Sequence, residues 1–372
     1  MFIFLFILLF GLVLVYVNLS VVIKGIWGKL AALAVLLLIL AAMMFRETLV
    51  GAVAVSFFAV WLCESLILYI PWTLYRVGYR LARRRSLDSF KVRRISRYLL
   101  GISTGFTLLL FAYGVPHNGD YRVNSMTVSL PSPYTESFTA VFFSDIHVDP
   151  LFRREKLERL IADVDSIGPD FVLFGGDLAD VSMETLDRWG YDSLFKNLVA
   201  GAKVAAVAVN GNHEAMTKSE TSSPEDWMRK VGFTVLDDST ACFDAVCFTG
   251  RTDLHVASRR GIVRRPLADL IPTDSPALPW ILLDHQPRGI EKDHAGRLPD
   301  FGLSGHTHNG QFFPGTVVID WVWKLAYGEG ALGGVHWLVS SGFDCWGPPA
   351  RVGSDSEFWV VRFNAQEDGR KP

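Results

Sequence analysis

The chain has 372 residues, half of them hydrophobic, and a formal net charge of −2 that hides an uneven distribution. Residues 1–115 contain 12 Lys/Arg and 3 Asp/Glu, which leaves 24 basic and 35 acidic residues after Val115. Because the basic residues adjoin apolar stretches and the polar motifs lie in the acidic part, we exclude a nucleic-acid-binding protein.

Apolar stretches dominate the first 115 residues, at about 2–23, 30–45, 49–72 and 98–115. A helix that spans a bilayer needs about 17–25 such residues, so we predict four transmembrane helices, the second slightly short. The first stretch lacks the basic start and the small-residue cleavage site of a signal peptide. Nine Arg/Lys lie in the predicted loop at 76–97. By the positive-inside rule that loop is cytoplasmic, and everything after Val115 lies outside the cytoplasm.

Two features of this part and the next leave alternatives open. Glu64 lies inside the third apolar stretch, where it is either a proton or substrate contact or a hydrogen-bonded carboxyl that faces a neighbouring helix. Cys242 and Cys247 flank a predicted hairpin and either form a local disulfide or stay reduced.

Residues 116–137 are predicted to form a juxtamembrane linker that runs into an edge hairpin, and residues 138–372 a separate domain. Strands and helices alternate in its first half. From Phe233 onward, short strands follow one another. This mixture predicts the α/β class, with two packed sheets flanked by helices. The predicted strands are 138–143, 171–174 and 204–209, and the predicted helices are 153–167, 183–199 and 224–231.

Polar clusters follow five of the predicted strands. A buried strand that ends abruptly at Asp, Asn or His presents that side chain at the carboxyl edge of its sheet, where ligand sites of α/β proteins gather. Five such strand ends bring carboxylate, imidazole and amide groups to one rim, a donor set that suits a pair of divalent transition metals. The clusters are Ser144-Asp145-Ile146-His147, Gly175-Gly176-Asp177, Gly211-Asn212-His213-Glu214, Leu283-Asp284-His285 and Gly305-His306-Thr307-His308.

The nine histidines support this interpretation, because five of them lie in the clusters. The other four have no such context, and we expect surface or packing positions for them. They are His117, His255, His294 and His336.

The five clusters, complete and in this order, resemble the motif blocks of the calcineurin-like metallophosphoesterase superfamily. The resemblance covers about residues 138–362 and implies a four-layer α/β/β/α sandwich. The stretch GHTHNGQFFPG resembles the bacterial membrane-associated branch, which includes exported phosphoesterases. Two departures concern the substrate pocket: Asn309 stands where the branch usually has glycine, and the 341–351 segment is bulkier than its usual form.

The resemblance implies two divalent metal ions, with Mn, Fe or Zn favoured by histidine ligands. The first ion would be held by Asp145, His147, Asp177 and His308. The second would be held by Asp177, Asn212, His285 and His306. Asp177 would bridge the two ions, which together lower the pKa of a bound water. His213 resembles the catalytic histidine of the family, a group that protonates the leaving oxygen or stabilises the transition state.

Three further polar residues have weaker assignments. Asp284 is either an orienting partner of the neighbouring His285 or a turn carboxylate. We expect Asp149 to cap the following helix and Arg351 to be exposed to solvent.

Six aromatic residues follow the last motif, and we expect most of them in the core. A subset at the pocket mouth would instead rest at a membrane interface, which would suit a lipid-linked phosphate substrate. They are Phe312, Phe313, Trp321, Trp323, Trp337 and Trp346.

The sequence therefore predicts an integral protein of a bacterial cell membrane, with an extracytoplasmic domain that hydrolyses phosphomonoesters or phosphodiesters. One alternative is a pyrophosphohydrolase for a nucleotide-linked or lipid-linked phosphate, which would need a cytoplasmic site. The other is a membrane sensor whose phosphoesterase-like domain only binds its ligand.

Overall fold

The structure is a computed structural model that describes residues 12–13, 15–23, 25–130, 134, 136–217, 219–293 and 296–365. The chain divides into two compact units. The first comprises residues 1–115 with 347–350, and the second comprises residues 116–346 with 351–372.

Three helices of the first part of the chain are long and apolar enough to cross a membrane. They are α1 (Ile26–Met44), α2 (Leu49–Arg83) and α3 (Ser89–Asn118). α1 covers the second predicted segment up to Met44, α2 contains the third and α3 contains the fourth. α2 and α3 also extend into the stretch at 76–97, because its arginines are good helix formers. Half of the first predicted segment, residues 2–11 and 14, lies outside the described residues; residues 12–13 and 15–22 are helical.

Polar contacts link α2 to α3. The Trp61 indole Nε1 donates to Thr104 Oγ1 at 3.0 Å, and the Tyr69 hydroxyl donates to the carbonyl of Ser96 at 3.3 Å. Glu64 lies on the same helix and is only 7% exposed. Its Oε1 has no hydrogen-bond partner among the described residues, so both interpretations of this carboxyl stay open.

The second unit contains two six-stranded sheets. The first sheet has the strand order β1-β12-β2-β3-β4-β5 and the second has the order β10-β11-β9-β8-β7-β6. The strands of the first are β1 (Arg122–Leu130), β2 (Phe138–Phe143), β3 (Phe171–Phe174), β4 (Ala205–Val209), β5 (Thr234–Leu236) and β12 (Glu357–Ala365). Those of the second are β6 (Ser239–Cys242), β7 (Cys247–Gly250), β8 (Trp280–Leu283), β9 (Phe301–Ser304), β10 (Gly328–Leu332) and β11 (Val335–Val339).

Six α-helices and three short 3₁₀ turns complete this unit in the described ranges. The predicted helix at 183–199 is two helices, because Gly190 adopts a left-handed φ of 74° between them. The helices are α4 (Arg154–Ile167), α5 (Met183–Arg188), α6 (Tyr191–Ala200), α7 (Pro224–Val231), α8 (Leu254–Arg260) and α9 (Gly315–Val322). The 3₁₀ turns are Leu267–Leu270, Ile290–Lys292 and His308–Gly310.

Three apolar layers hold the sheets and helices together. Alternate residues of β2 and β8, such as Phe142 and Ile281, pack between the two sheets. The opposite face of the first sheet packs on α4, α6 and α7, with Leu157 and Trp227 fully buried. Short turns cover the outer face of the second sheet, around Trp280. The predicted α/β sandwich is confirmed.

The edge of the first sheet differs from the prediction. β1 does not fold into a hairpin with β2; it pairs in parallel with β12, from Arg122 opposite Glu357 to Leu130 opposite Ala365. β12 in turn pairs antiparallel with β2 and so separates the two. A hairpin signal is local, whereas this pairing joins residues more than 230 positions apart, so the sequence pattern did not reveal it.

The predicted hairpin of the second sheet is present. Cys242 and Cys247 stand opposite each other at the end of the β6–β7 ladder and are joined by a disulfide. The open question about these two cysteines is therefore settled in favour of the bridge, while Cys345 is a free, buried thiol.

Lys156 of α4 is fully buried and ties three segments together. Its Nζ donates to the Asn118 carbonyl at 2.7 Å and to Ser356 Oγ at 3.0 Å, and lies 3.6 Å from Asp344 Oδ2. Burial lowers the pKa of the Lys156 amine to about 8, against the opposing effect of Asp344. The buried charge is thus balanced by one carboxylate and several oxygens.

Lys156→Met is expected to lower the free energy of unfolding by about 3 kcal/mol, because it leaves Asp344 buried without its cation. The measurement is the apparent melting temperature of the full-length protein in detergent. Lys196→Met is the control, since Lys196 pairs with Asp192 on an exposed helix face. Equal melting temperatures for the two variants would contradict the assignment.

Candidate metal centre

The predicted cluster residues follow five strand ends of the two sheets. β2, β3 and β4 run parallel to one another, and so do β8 and β9. Their carboxyl ends therefore point to common edges, and the loops after them converge on one buried pocket.

The first group comprises Asp145, His147 and His308, whose ligand atoms lie within 4.8 Å of one another. The Nε2 atoms of His147 and His308 are 3.2 Å apart, and His308 Nε2 is 3.4 Å from Asp145 Oδ1. Two imidazole nitrogens that face each other over a carboxylate match the donor set expected of a divalent transition metal.

The second group comprises Asp177, His285 and His306, again within 4.8 Å. His285 Nε2 lies 3.1 Å from Asp177 Oδ2 and 3.2 Å from Asn212 Oδ1. The other ring nitrogen, Nδ1, donates to the Gly175 carbonyl at 2.7 Å, which fixes the tautomer that leaves Nε2 free to coordinate.

Asp177 lies between the two groups. Its Oδ2 is 3.6 Å from His147 Nε2 of the first group as well as close to His285 of the second. Its other oxygen accepts the backbone N–H of His213 at 2.8 Å. The structure therefore brings together all the residues that the sequence assigned to the two metal ions.

The backbone of this pocket is strained at the candidate ligands. A left-handed φ is uncommon outside glycine and has to be held by the surrounding structure. Asp145, His147, Asp177, His306 and His308 all adopt one, with φ between 48° and 72°. Such strain gathers at functional sites, where it aims side chains at a ligand.

The protonation states of the carboxylates show what the pocket needs. Burial raises the pKa of the Asp145 carboxyl, and the nearby Asp177 adds to this. Burial acts likewise on Asp177, but His285 and His213 hold its pKa well below the usual range. Burial would lower the pKa of His147, yet Asp180 and Asp177 raise it to about 9. The buried carboxylates thus need adjacent positive charge, which divalent cations supply.

Two of the histidines are neutral and so have lone pairs to offer. Burial, reinforced by His285, lowers the pKa of His306 to about 3. Burial and the neighbouring His147 hold the pKa of His308 well below its ordinary value. Neutral imidazole is the form that binds metal, so the donor set of this pocket fits a pair of divalent cations.

Glycines and a buried glutamate allow the loops after β3 and β4 to approach each other closely. Glu214 accepts N–H donors from Gly211 at 2.6 Å, Leu178 at 2.7 Å and Asp177 at 3.2 Å. A Cβ on Gly211 would lie 2.1 Å from Asp177 Oδ1, and one on Gly176 would lie 2.4 Å from the Gly211 nitrogen. Glu214 belongs to a predicted polar cluster, but the sequence did not indicate this role for it.

Gly211→Ala is expected to displace Asp177 and to destabilise the domain by about 1–3 kcal/mol. Bound metal and the apparent melting temperature of the full-length protein should both fall. Gly78→Ala is the matched control, because a Cβ there meets nothing within 4 Å. Full metal content in Gly211→Ala would show that the two loops do not depend on this contact.

His213 faces the pocket beside the metal groups and pairs with Asp180. His213 Nδ1 lies 2.5 Å from Asp180 Oδ1, and its ring is 4.5 Å from the ring of His147. Asp180 also lies 3.3 Å from His147 Nδ1. Burial opposes ionisation of Asp180, but His147 and His213 hold its pKa well below the usual range. Asp180 was not among the residues predicted from the sequence; the one signal was a carboxylate three positions after Asp177.

Three weaker expectations meet different outcomes. Arg351 is not exposed: it is fully buried and donates to the carbonyls of Ser341 at 2.7 Å and Asp344 at 2.8 Å. The carbonyls of this loop accept hydrogen bonds from the buried guanidinium, and no sequence pattern indicates such a contact. Asp149 accepts from the Leu151 N–H at 2.7 Å, in the turn before α4 rather than at its cap. Asp284 is buried and pairs with Arg264 at 2.5 Å.

The histidines outside the clusters lie mostly at the surface. His117 pairs with Asp355 at 2.9 Å, and His336 is exposed on β11 near Glu329. His255 is exposed on α8. His294 lies outside the described residues.

Aromatic residues border the pocket on two sides. The Trp323 ring is 5.2 Å from that of His306, and Arg288 stacks on Trp323 at 5.3 Å. The Trp346 ring is 5.8 Å from that of His213. Trp337 is a core residue, as expected, whereas Phe313, Trp321 and Trp346 are exposed.

Comparisons with known proteins agree with this geometry. Residues 138–310 match the family model described as calcineurin-like phosphoesterase. A zebrafish (Danio rerio) transmembrane protein with metallophosphoesterase domain is 28% identical over 283 residues, which cover 71% of this chain and 62% of that protein. An uncharacterized metallophosphoesterase of Helicobacter pylori is 26% identical, over 80% of this chain and 77% of that protein. An uncharacterized metallophosphoesterase of Aquifex aeolicus is 29% identical, over 68% of this chain and 96% of that protein.

The chain thus spans less than two thirds of the zebrafish relative. The matched residues contain all five strands that deliver candidate ligands and end just after His308. Residues 138–310 are therefore a calcineurin-like phosphoesterase domain, the kind of domain found in metal-dependent phosphoester hydrolases.

Proposed function

We propose that this protein is a membrane-anchored hydrolase of phosphoric esters that works with two divalent cations, Mn, Fe or Zn. The observation that carries the proposal is the convergence of two ligand groups on Asp177, with His213 beside them. Such a pair of cations, when bound, lowers the pKa of a water and neutralises phosphoryl oxygens. Asp145, His147 and His308 would hold one cation, Asn212, His285 and His306 the other, and Asp177 both.

In this proposal His213 is the proton donor to the leaving oxygen. Asp180 accepts from Nδ1 at 2.5 Å, which fixes the ring orientation and leaves Nε2 to carry the transferable proton. The carboxylate also stabilises the imidazolium before the proton is given away. Trp346 packs against His213 and limits the access of water to it on one side.

The test is hydrolysis of bis(p-nitrophenyl) phosphate and p-nitrophenyl phosphate by the full-length protein in detergent. The protein is stripped of metal with a chelator and reloaded with Mn, Fe or Zn. We expect turnover that depends on added metal and that is the same in His336→Ala, a histidine far from the clusters. Metal-loaded, folded protein without turnover on either ester would favour the alternative of a ligand-binding sensor.

We also infer that the domain formed by residues 138–372 lies outside the cytoplasm of a bacterial cell and follows, in the chain, four spans in residues 1–115. The arginine-rich stretch at 76–97 supports this orientation. A phosphatase reporter that is active only outside the cytoplasm, fused after Pro372, should therefore be active. Activity of a cytoplasmic reporter at the same position would reverse the orientation and favour a pyrophosphohydrolase with a cytoplasmic site.

A further inference from the structure

Helix α9 presents an apolar surface beside the pocket. None of the eight residues of α9 is buried, and no hydrophobic core cluster among the described residues includes one. Five large apolar side chains here are between 42% and 80% exposed. We call them the α9 surface: Phe313, Val317, Val318, Trp321 and Val322.

The α9 surface is a continuous stripe. Val317 and Trp321, and likewise Val318 and Val322, stand four residues apart, so they share one helix face. Between residues 311 and 323 the sequence holds a single charged residue, Asp320. The other exposed apolar residues of the second unit lie singly or in pairs along the chain. A contiguous exposed apolar patch of five large side chains is typical of a contact surface.

The position of α9 links this surface to the candidate metal centre. The helix begins five residues after the 3₁₀ turn that carries His308, and a Cβ on Gly315 would lie only 2.3 Å from the Gly310 carbonyl oxygen. At its other end Trp323 contacts the His306 ring. The α9 surface and the candidate ligands His306 and His308 therefore lie together along the rim of the pocket.

The chemistry of the rim points to lipid as the occupant. Tryptophan and aliphatic side chains flanked by cations are typical of segments that lie at the bilayer interface. The flanking cations are Lys324, which is 75% exposed and pairs with Glu291 at 2.8 Å, and Arg288, whose guanidinium stacks on Trp323. A bilayer is always within reach, because α3 is long enough to span one and β1 begins four residues after α3 ends.

We propose that the α9 surface rests in the interfacial region of the membrane and holds the metal centre at the depth of lipid headgroups. One consequence rests on the proposed function: the favoured substrate is a phosphoester whose apolar tail stays in the bilayer. The lipid contact itself does not depend on hydrolysis. It is therefore tested separately.

The experiment places an environment-sensitive fluorophore on Val318→Cys of the full-length protein in phosphatidylcholine vesicles with added phosphatidylglycerol. A Cys63→Ser background removes the exposed thiol, while Cys345 is buried. The matched control is Val204→Cys. Val204 is 55% exposed and lies just before the start of β4, whereas Asn212 follows the other end of that strand. Lipids with nitroxides near the headgroup serve as quenchers.

We expect the quenchers to dim the label at 318 at least about twofold and to leave the label at 204 unchanged. Equal quenching at both positions, or none at 318, would overturn the proposal. Energy transfer between labelled copies that rises with protein density, without quenching, would show that a second copy covers the surface. Val322→Cys repeats the test where Val318→Cys fails to fold, and hydrolysis of bis(p-nitrophenyl) phosphate, measured in parallel, separates a failed contact from a failed proposed function.

Discussion

His213→Ala is expected to lower kcat for phosphoester hydrolysis by about 10²–10⁴-fold, the usual contribution of a positioned proton donor. The loss should be larger for phenyl phosphate than for p-nitrophenyl phosphate, because phenolate is the poorer leaving group and depends more on protonation. Bound metal should stay at the level of the unchanged protein, because the two groups proposed to hold the cations do not include His213. The measurement is kcat for both esters with metal saturating.

Asp180→Asn belongs to the same test. The two residues act as one unit, so His213→Ala combined with Asp180→Asn should be no slower than the slower single variant. Asp180 also contacts His147, so its substitution should weaken metal binding by about 10–100-fold in addition. Losses that multiply in the double variant, or a loss independent of the leaving group, would refute the role of His213 as proton donor.

Asp177→Asn should have the largest effect on metal. Asp177 Oδ2 lies within 3.6 Å of a nitrogen from each ligand group, and Asp177 is one of only two carboxylates among the proposed ligands. Its substitution therefore removes the one negative charge that both cations would share. We expect metal affinity to fall by more than about 100-fold, the upper range for residues that only support ligands. Turnover should fall with it. Equilibrium dialysis followed by elemental analysis measures the change.

Asp226→Asn is the control for this substitution. Asp226 is 65% exposed on α7 and pairs only with Arg229 in the described contacts. It should keep its metal and its turnover. Retention of both cations by Asp177→Asn would show that the two ligand groups bind independently, against the shared carboxylate that the account requires.

Much of the site could be predicted from the sequence because its logic is local. A strand buried on both faces, such as FVLF before Gly175, is an unbroken apolar run, and the residue at its end is fixed at the sheet edge. Repetition of that pattern at Asp145, Asn212, His285 and His306 indicated the candidate ligands that the fold brings together. The alternation of strands and helices likewise predicted the sandwich.

What the sequence could not show depends on contacts between distant segments. Asp180 became relevant only when the loop after β3 brought it against His213, 33 residues away. Arg351 was expected at the surface because a loop arginine usually is, yet it is buried and its Nη2 donates to carbonyls of the 341–344 loop. The parallel pairing of β1 with β12, and the exposure of α9, also depend on how complete elements pack.

The most direct test of the account is the metal content of the full-length protein after stripping and reloading. We expect two divalent cations per chain, and a higher melting temperature than that of the stripped protein because the cations bind only the folded state. Binding 1,000-fold above the dissociation constant would add about 4 kcal/mol to the free energy of unfolding. A folded protein that retains no cation would contradict the account, whatever its activity.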